Sequence, residues 1–126
     1  VPSVTRGLPI DRQHIGRAAE ARAAQFLQQA GFAVLERNYR CRLGEIDIVA
    51  RRARLLVIAE VRLRSGPQFG GAAASIDAAK RARIVRAARH LLCCRPSLAR
   101  LVVRFDALLL AAPDGPIEWI EAAFDA

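Results

Sequence analysis

Three carboxylates stand in the stretch GEIDIVARRARLLVIAEVRLR, residues 44–64, inside two runs that otherwise read as buried strand. Glu45, Asp47 and Glu60 need something cationic in such a setting. The two-residue period of a strand places Glu45, Asp47 and Val49 on one face of the first run. In the second run Ile58, Glu60, Arg62 and Arg64 share a face. With the turn centred between Ala53 and Arg54, Asp47 falls across from Glu60, and Glu45 across from Arg62. Two carboxylates about 5 Å apart repel by roughly 3 kcal/mol at an effective dielectric of about 20. A divalent cation would turn that cost into a binding site, because Mg²⁺ takes one or two carboxylates together with waters and substrate phosphate. Arg62 and Arg64 offer the other solution, neutralising a surface pair. Both solutions stand on these residues alone. Glu20 is a third carboxylate, with Gly16 and Ala24 as small neighbours one turn either side, so its helix can lie close on a sheet and aim the acid at it.

The elements that must hold these groups follow from pattern. Residues 11–30 are rich in alanine, with Ile15, Ala19, Ala23, Phe26, Leu27 and Ala30 at helical spacing and Gly31 as the stop. Residues 32–39 read as a short strand, and 44–51 and 55–64 as a hairpin with a basic turn. The glycines and proline of 65–71 make a loop. A second helix runs from residue 75 or 76 to Cys94, with Ile76, Ala79, Ile84, Ala88, Leu91 and Leu92 as its apolar positions, and Pro96 ends it. Residues 100–112 and 117–124 are strands joined by the PDGP turn. The order α-β-β-β-α-β-β predicts an α/β fold, a mixed sheet flanked by helices.

The length of 126 residues fits one domain, expected over residues 11–126, with residues 1–10 as a poorly ordered tail. Those ten residues lack the charged and apolar regions of a signal peptide. No apolar run is long enough to span a bilayer, so no membrane partner is expected. A hydrophobic content of 53% excludes a disordered chain. A net charge of +8 points to an anionic partner, nucleic acid first. Lys80 is the only lysine among 20 basic residues, and this arginine skew reads partly as nucleotide composition. Cys41, Cys93 and Cys94 form an odd set without ligand spacing. They fit a reducing, cytoplasmic setting, with Cys93 and Cys94 on or near a helix core face.

Several stretches together resemble the YraN-like family of bacterial proteins: Gly16-Arg-Ala-Ala-Glu20, Gly31-Phe-x-Val-Leu-x-Arg37-Asn38-Tyr39, Gly44-Glu-Ile-Asp-Ile-Val-Ala50, Glu60-Val-Arg-Leu-Arg64, Ala79-Lys80-x-x-Arg83-Ile84 and Arg104-Phe-Asp106. The GEID…EV spacing is the specific part. That family is similar to the PD-(D/E)XK nucleases, archaeal Holliday junction resolvases among them. The resemblance implies a restriction-endonuclease-like core with a mixed four- or five-stranded sheet. It also implies a phosphodiesterase site for Mg²⁺ or Mn²⁺, acting on structured DNA. By carry-over, Asp47 and Glu60 are metal ligands with the Val61 backbone carbonyl, Glu20 joins through a water, and a homodimer would suit a branched substrate. The metal would lower the pKa of a bound water and stabilise charge on phosphate oxygens.

The sequence departs from the family line E-V-K-T-R at the lysine, which here is Arg62. Arginine cannot act as a base, and its planar fork favours bidentate pairing with a carboxylate, so Arg62 is expected on Glu45 or Glu60. It can still stabilise phosphate charge. A binding module that has lost catalysis is therefore the competing reading, and a protein-interaction subunit with its acids paired to arginines is a third. Ala19, where the family has glycine, is a minor change. Lys80, Arg83, Arg64 and Arg104 are the candidate nucleic-acid contacts, although Arg104 with Asp106 reads more simply as a structural ion pair. His14 and His90 have no partner at ligand spacing, Trp119 reads as core, and no base-reading motif is present.

Overall fold

The fold is that of a computed structural model that describes residues 12–63 and 76–126. The expected tail at 1–10, the loop at 65–71 and Arg64 lie outside the described residues. Helix α1 spans Arg12–Gln29, followed by β1 (Ala33–Cys41), β2 (Gly44–Arg52) and β3 (Leu55–Leu63). Helix α2 spans Ala78–Cys94, and a single 3₁₀ turn at Pro96–Leu98 leads to β4 (Val102–Leu110) and β5 (Ile117–Phe124). The five strands stand in chain order in one sheet, antiparallel except for β3 beside β4. The α/β expectation holds.

The one parallel pair requires a crossover, and α2 supplies it. Each helix covers one face of the sheet. The α2 face buries Ile84, Ala88 and Leu91 against Val49, Leu56, Ile58, Phe105 and Leu109. The α1 face buries Ala23, Ala24 and Leu27 against Ile48, Ala50, Val57, Ala59 and Leu108. The three central strands are thus apolar on both sides, which is why they read as continuous hydrophobic runs.

The helix ends are set locally. Gly31 adopts φ 93, and the bonds Gly31 N to Gln28 O and Phe32 N to Leu27 O close α1 in a Schellman motif. Asp77 caps α2, its carboxylate accepting from Lys80 N at 2.8 Å. Three expected core positions are corrected. Ala79 is exposed on the first turn of α2, and Cys93 and Cys94 are exposed at its far end. Gly16 is not a close-packing glycine either: a Cβ there would meet nothing within 4 Å.

Candidate metal centre and nucleic-acid interface

The β2–β3 ladder runs from Arg52↔Leu55 to Ile48↔Ala59. One step further along the same count, Asp47 stands opposite Glu60, as the hairpin spacing predicts. There the ladder has ended, and the Asp47 side chain takes over: its Oδ2 accepts from Val61 N at 2.8 Å. The Glu60 carboxyl is close enough to act on that of Asp47, through its charge first and through a side-chain contact second. Asp47 is 8% and Glu60 5% exposed. Burial above all, then the charge of Glu60, raises the Asp47 carboxyl to about 8; the Glu20 charge adds to the rise, while the Val61 N–H opposes it.

Strand alternation slips at this point, correcting the expected grouping of Glu45, Asp47 and Val49. Ile46 and Val49 both pack toward α2, whereas Ile48 packs toward α1. A strict two-residue period would place Ile46 and Ile48 together. The slip falls at Asp47, opposite Asn38, whose φ is 55. Asparagine tolerates that left-handed conformation better than most residues. The local twist lets Asp47 leave the regular face pattern and lean over the gap between β2 and β3.

Glu60 keeps its regular place on the α2 face. Its Oε2 lies 3.1 Å from Lys80 Nζ and 3.5 Å from Arg62 Nη1. Of the two acids expected for Arg62, the structure selects Glu60. Glu45 does not face Arg62: it is paired with Arg40 of β1, and their side chains meet at 3.4 Å.

Glu20 projects from α1 into an open cleft of about 410 Å³ that it lines with Gly16, Arg17, Asn38, Arg40 and Glu45. A second cleft of about 390 Å³ opens on the α2 side, between the β1–β2 turn and Lys80 and Arg83, with Arg40 and Arg42 on its wall. Arg40 and Glu45 border both. The β1–β2 pair therefore borders two clefts, a mixed-charge one beside α1 and a basic one beside α2. Leu43, 48% exposed, stands at the turn.

No three described His, Cys, Asp or Glu side chains converge into a metal cage. The donor set fits Mg²⁺ rather than a metal needing an all-protein cage, since two carboxylates suffice when waters and phosphate complete the shell. Asp47 and Glu60 are the two residues that would hold it. At Val61 the N–H is the group seen engaged, on Asp47.

Arg104 is drawn away from the acid pair. It makes two 2.8 Å bonds to Asp106 and reaches Glu121 at 3.3 Å, while its strand register places it beside Val57, three residues before Glu60. Fully buried Asp106 also accepts from Trp119 Nε1 at 2.8 Å and Ala122 N at 3.0 Å. This network fixes the irregularity in β5 at Ala122, with φ 52, so the structural ion pair is the arrangement observed. Trp119 is half-buried, edge-on to Phe26 and Phe32. Exposed His90 does find a partner, the Tyr39 hydroxyl at 2.6 Å from Nδ1, tying α2 to β1. Sequence reasoning missed the Lys80–Glu60 pair. The one signal for it was Lys80's standing as the sole lysine.

The family model described as "Uncharacterised protein family UPF0102" matches residues 19–110. The chain belongs to that family. It is the YraN-like family to which the motifs pointed. A UPF0102 protein of Nitrosomonas europaea is 50% identical over 111 residues, covering 87% of this chain and 92% of that protein. A UPF0102 protein of Methylobacillus flagellatus is 48% identical over 115 residues, 90% of this chain and 99% of its own. One from Dechloromonas aromatica is 51% identical over 112 residues, 88% of each. The UPF0102 match takes in Glu20, Asp47, Glu60, Lys80 and Asp106, while the β5 partners of Asp106 lie beyond it.

Proposed function

We propose that this UPF0102 protein is a metal-dependent phosphodiesterase that acts on structured DNA in the cytoplasm. The observation that carries the reading is the Asp47–Glu60 pair. Two acids buried side by side at the end of a β-ladder repel each other unless a proton or a cation lies between them. Mg²⁺ or Mn²⁺ held there would polarise a phosphate oxygen and supply an activated water. The chain's own groups would do the rest. Glu20 faces the first cleft from α1, and Arg40, Arg42 and Arg83 offer donors for phosphates along the second. No described helix is long and apolar enough to cross a membrane. A homodimer would present two such sites to a branched substrate symmetrically.

Melting with millimolar Mg²⁺ or Mn²⁺, followed by cleavage of a four-way junction and of linear DNA, tests this. The wild type should gain stability with metal and cut; Asp47→Ala should do neither. Cutting that survives Asp47→Ala would sink the mechanism.

A second reading has its own observation. Arg62 and Lys80 both approach the same Glu60 oxygen and already neutralise it. A module that binds nucleic acid without cutting would look like this. It predicts salt-sensitive DNA binding in the wild type, with cleavage appearing only in Arg62→Lys.

A further inference from the structure

We propose that Lys80, reaching in from α2, is the working lysine of the acid pair: it holds Glu60 in the metal-free protein, and exchanges that carboxylate for a substrate phosphate when a divalent cation takes it. This rests on the reading of Asp47 and Glu60 as metal ligands. It concerns a residue on α2, a different element from the strand that carries Arg62.

Four observations converge on it. Lys80 Nζ is the nearer of the two cations on Glu60 Oε2, at 3.1 Å against 3.5 Å for Arg62. Its backbone is anchored while its side chain has somewhere to go. Lys80 N is held by the Asp77 cap at 2.8 Å, and its stem borders the open cleft that Arg40, Arg42 and Arg83 line. A four-carbon stem pivoting on a fixed Cα can therefore reach either the acid or the cleft. The neighbourhood is also close-fitting: a Cβ on Gly44 would lie 2.5 Å from the Arg83 carbonyl oxygen, so β2 and α2 touch at Arg83, three residues on from Lys80. Finally, composition singles it out. Arginine fills every other basic position in a chain with 20 Lys and Arg. An arginine at 80 would bring a broad planar fork where a compact ammonium with three donors now fits.

The chemistry separates the two cations. Arg62 stays on β3 beside Glu60 as a fixed charge, suited to a carboxylate. Lys80 is a strongly hydrated point charge on a flexible stem, suited to transfer between two anions. Metal and ammonium compete for one oxygen, so the arrival of one should free the other.

The single lysine makes the test direct. The full chain is treated with an acetylating reagent, with and without Mg²⁺, and labelling at Lys80 is read by mass spectrometry against the α-amino group. Thermal melting in parallel reports metal uptake. Mg²⁺ should speed Lys80 labelling about fivefold in the wild type, the size expected for losing one partly exposed ion pair. Asp47→Ala should show no such change. Lys80→Ala should take up Mg²⁺ at a lower midpoint concentration, because a competitor is gone, whereas a lysine that merely props the site would leave uptake weaker. Metal stabilisation with unchanged Lys80 labelling, or weaker uptake in Lys80→Ala, overturns the inference and leaves the metal site standing. Failure of Mg²⁺ to stabilise the wild type removes both.

Discussion

Asp47 ionises against its surroundings, and this links stability to pH. Its carboxyl is raised to about 8 by burial and by the Glu60 charge. A group whose folded pKa lies above its unfolded value contributes stability that is complete below the unfolded pKa and lost as pH rises through the folded one. For Asp47 that window runs from about 4 to about 8. The metal-free protein should therefore melt at progressively lower temperature between mildly acidic pH and pH 8. Asp47→Asn, which cannot ionise, should remove most of that slope and be the more stable protein at pH 8 and above; melts across a pH series would show it. Asp106 gives the opposite lesson. Its bonds to Arg104, Trp119 and Ala122 satisfy a charge with no exposure at all. Asp106→Ala should cost about 2–3 kcal/mol in denaturant unfolding, since it takes the acceptor from the half-buried Arg104, from Trp119 Nε1 and from Ala122 N, and frees β5.

Among the elements, the turns carry the strain. Ala53 sits at φ 54 in the two-residue turn that joins β2 to β3. That left-handed conformation costs an L-residue roughly 1–2 kcal/mol. Ala53→Gly should recover about 0.5–1 kcal/mol after the greater freedom of glycine in the unfolded chain is counted, visible as a few degrees in the melt. Gly44→Ala should do the reverse. Its Cβ would meet the Arg83 backbone at 2.5 Å, and a clash with main chain costs about 1–3 kcal/mol. The elements were largely legible in the sequence because alanine periodicity, Gly31, Pro96 and the two apolar runs each carry a local signal. The faces around Asp47 were not. The slip in alternation depends on Asn38 taking a positive φ, and that is settled between strands rather than within one. Cys93 and Cys94 misled for a related reason: helical spacing gives a face but not where the sheet beneath it stops.

The whole molecule brings together charges that the chain keeps far apart. Asp47 and Glu60 lie on one hairpin, and their spacing made the pair readable. Lys80 arrives from across the crossover, and no local pattern reports such a contact. The excess of +8 is carried in part by Arg40, Arg42, Lys80 and Arg83 around one cleft. If each neutralises one phosphate, a fourfold rise in salt should weaken DNA binding by about a hundredfold. Filter binding or fluorescence anisotropy over a salt series measures the slope, and Arg83→Ala should make it shallower by about one. The neighbour relations of the sheet have one more consequence, for folding order. β1, β2 and β3 form a meander of adjacent partners, while β4 can join only after α2 has closed the long crossover. Local pairings form at lower entropic cost than distant ones. The two acids should accordingly come together early, before their lysine arrives. A nascent chain ending before α2 would hold the two acids together without Lys80. In amide-exchange kinetics on the finished protein, the opening turn of α2 should release its protons well before the middle of β2 and β3.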